Sequence, residues 1–243
     1  MEDALKTPAS GRKSYIKSMF DSIALKYDFL NHFLSLGIDR NWRKKAITII
    51  SKSKKNPRIL DVATGTADLS IAALKINPCL ITGIDISEGM LRIGVEKIKK
   101  LGLAEKIELM YGDSEQIPFP DESFDVTMVA FGVRNFSDIE KGLSEMHRVL
   151  KKDGMIMVLE FSKPDNIIFN RIYLLYFRKI LPFLGRFFSG DRNAYSYLPD
   201  SVMKFPDNER FLRLLQNAGF VNSGQKRLTG GIASIYTGFR NKQ

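Results

Sequence analysis

The chain has 243 residues, 44% of them apolar and 26% charged, with 37 Lys and Arg against 27 Asp and Glu for a net charge of +10. That length buries a substantial core as one domain, with room for a small cap. One cysteine, Cys79, excludes an internal disulfide, and two histidines far apart argue against a metal site. The basic balance favours an anionic partner, either nucleic acid or an anionic membrane surface.

The opening "MEDALKTPASGRKSYIKSMF" carries early acids and no apolar signal core, so a reduced, cytoplasmic protein without a secretory or transit peptide is expected. Residues 1–13 are polar and predict no regular element. From Tyr15 to about Ile50 apolar residues recur at helical spacing, broken near "SLGID", which predicts two or three helices forming a cap over 14–50. A charged loop, "SKSKKNP", leads into a regular alternation. It runs strand "RILDVA", helix from Ala67, strand "CLITGIDI", helix "EGMLRIGVEKIKKLG" and strand "KIELMYGD". It continues through strand "FDVTMVAFG", helix "DIEKGLSEMHRVLKK" and strand "GMIMVLEFS". Apolar strands alternating with amphipathic helices predict a doubly wound α/β fold. After an insertion over 163–206, "NERFLRLLQNAGF" reads as a helix. "FVNSGQKRL" and "GIASIYTGF", joined at Gly230-Gly231, read as a closing antiparallel hairpin, for seven strands in a mostly parallel sheet.

In such sheets ligands bind beyond the carboxyl ends of the strands, where the winding reverses. The first strand runs into "DVATGTADLS": Asp61 closes it, Gly65 permits a tight turn, and Thr66 and Asp68 open the next helix. Twenty residues after Gly65, Asp85 in "GIDIS" is placed to accept from both hydroxyls of a ribose. Asp113 and Ser114, after the third strand, lie where an adenine edge would be read. A nicotinamide dinucleotide needs more glycines than this loop has, because its pyrophosphate sits against backbone. A phosphate-free ligand with ribose, adenine and an amino-acid tail fits better, namely S-adenosylmethionine. The competing structural reading is that Asp61 and Asp68 merely cap a helix start.

"YDFLNHFLSLGIDRNWR" (27–43) and "RVLKKDGMIMVLEFS" (148–162) resemble the two signatures of the ubiquinone/menaquinone biosynthesis C-methyltransferase family. "FGVRNF", "YSYLPDSVMKFP" and the terminal strand are similar to it too, so the resemblance covers the chain from Tyr15 on. It implies a class I, Rossmann-like S-adenosylmethionine-dependent methyltransferase fold. It also implies that Thr66, Asp85, Asp113 and Ser114 contact the cofactor. The activity implied is C-methylation of a polyprenylated quinol, demethylmenaquinol to menaquinol. A 2-polyprenyl-6-methoxy-benzoquinol of ubiquinone synthesis is a second acceptor of some members. Two positions depart from the pattern: Asp153 stands in a turn that is usually glycine-rich, and Ala130 stands where some members have a serine.

An electron-rich ring carbon attacks a sulfonium methyl without a metal, and none is expected. Alignment and stabilisation of a developing phenolate are required. Arg134, in "FGVRN", is the candidate cation and Asn135 a candidate donor to a ring oxygen. The structural alternative for Arg134 is an ion pair with a carboxylate. Tyr27, Asp28, Asn31, Arg40 and Trp42 are candidates for the cap over the acceptor, with Trp42 equally readable as core. His32 matches no family position for a base, and His147 reads as structural. No Asn/Asp-Pro-Pro-aromatic motif follows the fourth strand, which argues against methylation of nucleic-acid amino groups. An RNA-modifying enzyme and a noncatalytic adenosine-nucleoside sensor are the alternatives.

"NIIFNRIYLLYFRKILPFLGRFFSG" (166–190) contains no acid. As a helix up to Pro182 it would span about 24 Å, short of the ~30 Å hydrocarbon core. Phe169, Ile172, Tyr173, Tyr176, Phe177 and Ile180 share one face, and Arg171, Arg178 and Lys179 the other. That is the pattern of an interfacial helix on an anionic membrane surface. The alternative is a helix packed on its own domain or across a homodimer interface.

Overall fold

The computed structural model describes residues 9–35, 37–164 and 192–242; the side chains of 9–10, 26–34 and 192–196 lie outside the description. Two helices open the chain, α1 (Ala9–Leu34) and α2 (Ile38–Ser53). They separate at Gly37, whose φ of 73° is left-handed and comfortable for a residue without Cβ. The helical periodicity thus resolves into two helices, and the first begins within the polar stretch that predicted no element.

The α/β alternation follows. β1 (Arg58–Val62), α3 (Asp68–Ala73), β2 (Leu80–Asp85), α4 (Glu88–Lys100), β3 (Ile107–Tyr111) and β4 (Phe124–Ala130) come first. Then come α5 (Ile139–Arg148), β5 (Leu150–Phe161), α6 (Arg192–Lys204), α7 (Glu209–Asn217), β6 (Val221–Leu228) and β7 (Ala233–Phe239). The sheet order is β3-β2-β1-β4-β5-β7-β6. β1 to β5 run parallel, and β7 pairs antiparallel with both β5 and β6. The expected seven-stranded, mostly parallel sheet with a closing hairpin is present, and its winding reverses between β1 and β4.

The boundary between α5 and β5 differs from the sequence reading. The helix expected to run through Lys152 ends at Arg148, and β5 begins at Leu150 rather than at Gly154. Leu150 is fully buried and pairs with Phe124, while Asp153 at φ 61° takes up the register shift between Phe124 and Val126.

Strand alternation distributes the core to both faces. Ile59, Val126, Met128, Met155, Met157 and Leu159 pack under α2 and α3. Leu60, Val62, Phe124, Val129, Ile156 and Val158 pack under α5 and α7. Each such side chain contributes roughly 1.5–3 kcal/mol on burial. The period of two also puts Asp61 on the α3 face, and this decides its role below. Of the 163–206 insertion, residues 165–191, including the basic aromatic segment, lie outside the described residues; α6 follows them. No helix among the described residues is long and apolar enough to cross a membrane.

Candidate active site

The site begins with the turn after β1. Ala63, Gly65 and Ala67 all have positive φ (53°, 57° and 68°), so the backbone coils tightly before α3. Left-handed alanines are strained by about 1 kcal/mol each and need an anchor. Asp61 supplies it: its Oδ2 accepts from Thr64 Oγ1 at 2.8 Å and from Ser70 Oγ at 2.6 Å. Burial pushes the Asp61 carboxyl up to about 6, against the lowering effect of the two hydroxyls. Its side chain therefore grips the loop from beneath and does not line the crevice above; neither does Thr66, only 2% exposed. Asp61 thus supports the turn that carries Gly65, and the Thr66 side chain is buried beside it.

Above the loop lies a crevice of about 650 Å³, its mouth and the open space before it included. Gly65, Asp85, Asp113 and Ser114 line it together, as the three strand ends predicted. Asp85 Oδ2 accepts from Gly65 N–H and Oδ1 from Ser87 N–H, both at 2.8 Å. Burial raises the Asp85 pKa, and the amides of Ser87, Gly65 and Ile86 draw it back. A carboxylate has about four acceptor positions. Gly65 and Ser87 take one on each oxygen, with the Ile86 amide close by, so a second position on each oxygen is open to a pair of vicinal hydroxyls. A Cβ built on Gly65 meets no atom within 4 Å; it would project into the open crevice. This donor and acceptor set fits the ribose of S-adenosylmethionine.

On the β3 side Asp113 is already engaged. Its Oδ1 accepts from Glu115 N–H at 2.9 Å and its Oδ2 from Lys13 Nζ at 2.6 Å, while Lys13 also reaches Glu115 Oε2 at 3.0 Å. Lys13, Ile16 and Phe20 make α1 a roof over the crevice. One turn further on, Asp21 Oδ1 accepts from Ser87 Oγ (2.6 Å) and from Gly89 N–H (2.9 Å) at the start of α4. Burial raises the Asp21 pKa, but these bonds and the one from Lys17 outweigh it and leave it lowered. The sequence reading put the helical cap over the acceptor alone and missed the roof. The available signal was the i, i+4 series Lys13, Lys17, Asp21 beside Ile16 and Phe20.

Beyond β4 the crevice is walled by Ala130, Phe131, Gly132, Asn135 and Phe136. Phe131, Trp42 and Phe161 form one aromatic cluster, with ring centroids 4.7–6.1 Å apart. Trp42 is 3% exposed and donates Nε1–H to Thr229 Oγ1 at 2.8 Å, so it is core behind Phe131 and not a lining residue. Arg40 is exposed and lies on a separate trough. Tyr27 and Asn31 fall on α1 where side chains are not described, as do Asp28 and His32. His147 packs edge-on against Phe220, remote from the crevice, and burial lowers its pKa.

Arg134 is buried beside the crevice. Its Nη1 donates to Glu160 Oε1 at 2.7 Å and to the carbonyl of Phe131, and its Nε donates to Ser201 Oγ at 3.3 Å. Nη2 has no partner among the described residues. The ion-pair alternative is thus what the structure contains: Glu160, fully buried, neutralises the guanidinium. Burial raises the Glu160 pKa against the lowering effects of Arg134 and the Phe161 and Arg134 amides. Asn135 does line the crevice, and its Oδ1 accepts from Tyr197 O–H at 3.0 Å. Burial raises the Tyr197 pKa, so the hydroxyl stays protonated and donating. Among the described residues no cluster of His, Cys, Asp and Glu could hold a metal ion.

Comparison with known proteins fits this geometry. A demethylmenaquinone methyltransferase of Bacteroides fragilis is 46% identical over 229 residues, covering 93% of both chains. A ubiquinone/menaquinone biosynthesis C-methyltransferase of Geotalea daltonii is 48% identical over 225 residues, 92% of this chain and 95% of its own. Among solved structures, a SAM-dependent methyltransferase of Thermotoga maritima superposes with a TM-score of 0.64 at 19% identity, covering 94% of this chain and 100% of that one. That likeness speaks to the fold alone. The model of the ubiE/COQ5 methyltransferase family matches residues 9–240, so the chain belongs to that family.

Proposed function

We propose that this chain transfers a methyl group from S-adenosylmethionine to a ring carbon of demethylmenaquinol, giving menaquinol. A benzoquinol of ubiquinone synthesis is its second acceptor class. The observation that carries the reading is the single crevice in which the Asp85 carboxylate and the open Gly65 turn face the aromatic wall at Phe131. S-adenosylmethionine, when bound, supplies an electrophilic methyl group. Asp85 would hold its ribose through the acceptor positions the backbone leaves open, and Asp113 and Ser114 would lie beside its base.

The other half of the chemistry falls to the post-β4 turn. Tyr197 O–H fixes the Asn135 amide by donating to its Oδ1, which leaves Nδ2 as the donor toward a quinol oxygen. Its other recorded contact, to the Phe131 carbonyl at 3.5 Å, is long and weak. Arg134, paired with Glu160, offers Nη2 as a second donor. Both act on a phenolic oxygen as negative charge grows on it. Phe131 and its aromatic neighbours exclude water from the ring.

The acceptor's polyprenyl tail resides in a bilayer, and the acid-free 166–190 sequence, with its four cations among aromatic and aliphatic residues, supports peripheral attachment there. The test is the quinone profile of membranes from cells with and without the gene. Accumulation of the desmethyl quinone on deletion, reversed by the intact gene, is expected. An unchanged profile, together with no transfer by purified protein to a short-chain quinol, refutes the reading.

A further inference from the structure

A second concavity lies between α2, α3 and the end of α4. α3 has only six residues and ends in a 3-10 turn at Leu74–Ile76, so it fills little of the gap between α2 and α4. The result is an open trough of about 1900 Å³, its mouth included. Its floor is aliphatic, with Ile47, Ile71, Ala72 and Ile76, and Leu101 stands 56% exposed on the rim. Seven lysines and arginines line it against one carboxylate, Asp68, which Lys97 (2.9 Å) and Arg43 (3.4 Å) already hold. Arg40, Lys44, Lys55 and Lys75 are exposed and have no ion-pair partner among the described residues. Four cations without ion-pair partners among the described residues surround an apolar floor, and an anionic, partly apolar surface complements both.

We propose that this trough is a docking surface for an anionic phospholipid bilayer, distinct from the 166–190 segment. Phosphate headgroups meet the rim lysines, and glycerol and upper acyl carbons meet the aliphatic floor. The trough contains no aromatic ring, whereas single-stranded nucleic acid is held by stacking on aromatic side chains; this favours lipid. The trough also borders the acceptor chamber. Arg43 lines it and lies 5.9 Å from the centroid of the Phe131 ring, which walls the crevice. Docking here sets the acceptor end of the crevice beside the bilayer. The choice of a bilayer rests on the polyprenylated-quinol reading above.

The test uses the full chain, sedimented with phosphatidylcholine vesicles with and without phosphatidylglycerol. The variant K44Q/K55Q/K75Q changes exposed residues outside the crevice, and R171Q/R178Q/K179Q is the comparison. Each cation near an anionic surface is worth about 5-fold in partitioning, so the trough variant should bind phosphatidylglycerol vesicles about 100-fold less well than wild type. Its transfer of methyl groups to a short-chain, water-soluble quinol should be unchanged. Vesicle binding equal to wild type overturns the proposal. So does weakened binding of single-stranded RNA with vesicle binding intact, which assigns the trough to nucleic acid. Absence of any wild-type binding to anionic vesicles overturns it as well. Failure of the wild type on the soluble quinol instead strikes the function proposed above, so the two failures are separable.

Discussion

Asp85 is the residue on which the cofactor reading can be tested quantitatively. Its two oxygens accept Gly65 N–H and Ser87 N–H, and the residue lines the crevice. Two ribose hydroxyls donating to a charged acceptor are worth roughly 1.5–3 kcal/mol each. Asp85→Asn keeps one weakened acceptor, so the loss should be about 2–4 kcal/mol, or about 30- to 1000-fold in the Kd for S-adenosylmethionine. Stability should change much less. The amide nitrogen that the substitution introduces confronts one backbone donor, at a cost of about 1–3 kcal/mol. Removal of a carboxylate that burial already disfavours offsets part of that. Isothermal titration calorimetry and urea unfolding separate the two effects. The pH profile adds a check with a definite sign. Because the Asp85 pKa is raised, wild-type affinity should decline on acidification before an unperturbed aspartate would titrate, while the Asn variant should show no such decline. Affinity within about twofold of wild type, in a folded variant, refutes the role given to Asp85.

Three further outcomes are expected. Arg134→Met strands a fully buried carboxylate at Glu160 and should cost about 3 kcal/mol, lowering Tm by about 6–12 °C for a chain of this size. Adding Glu160→Gln should recover most of that in a calorimetric scan; an unchanged Tm in the single variant would mean the pair is not formed. In single-turnover assays below its Tm, Arg134→Met should also slow transfer more than it weakens cofactor binding. Asp61→Asn tests the buried anchor: with a folded pKa near 6 against 3.8 unfolded, wild-type stability declines as pH rises from about 4 to about 6. Urea midpoints of the Asn variant should lack that decline, and parallel curves would contradict the assignment. Lys13→Gln removes a partly exposed bridge worth at most about 1 kcal/mol, so folding should hardly change. Stopped-flow measurement should show faster S-adenosylmethionine release as the α1 roof loosens, and an unaltered off-rate would deny α1 that role. Lys13 itself is desolvated, which lowers its pKa, yet Asp113 and Glu115 raise it overall. The bridge is therefore complete below the ordinary lysine value of 10.5 and fails only above it.

What the sequence disclosed followed from period and spacing. Strands alternating with helices, and acids at successive strand ends, were enough to place Gly65, Asp85, Asp113 and Ser114 on one crevice. The buried positions of Asp61 and Thr66 were not legible, for a physical reason. A strand's period of two sends Asp61 to the α3 face, and a loop of alternating left-handed residues leaves Thr66 buried, but motif position alone carries neither. The roof made by α1 depends on contacts about 100 residues apart in sequence, such as Lys13 with Asp113, and no local pattern specifies those. The same holds for Arg134 and Glu160. The sequence offered an arginine in need of a partner, and the pairing exists because β5 delivers Glu160 beside the turn that follows β4.

The neutralised arginine changes what catalysis asks of this site. A quinol hydroxyl is phenol-like, with a pKa near 10, so full ionisation at pH 7 requires about 4 kcal/mol. A free buried guanidinium would supply that outright, but Glu160 cancels its charge and leaves a dipole. Hydrogen bonds to an anionic oxygen are worth about 1.5–3 kcal/mol each, against about 0.5–1.5 kcal/mol to a neutral one. Donors at Asn135 Nδ2 and Arg134 Nη2 would together provide about 3–6 kcal/mol to the phenolate and much less to the resting quinol. That difference is what lowers a barrier. An ion pair here therefore does not disqualify Arg134. In the proposed role it would fix the guanidinium with Nη2 left over, and it would spare the resting site an uncompensated charge that binds any anion in place of the quinol.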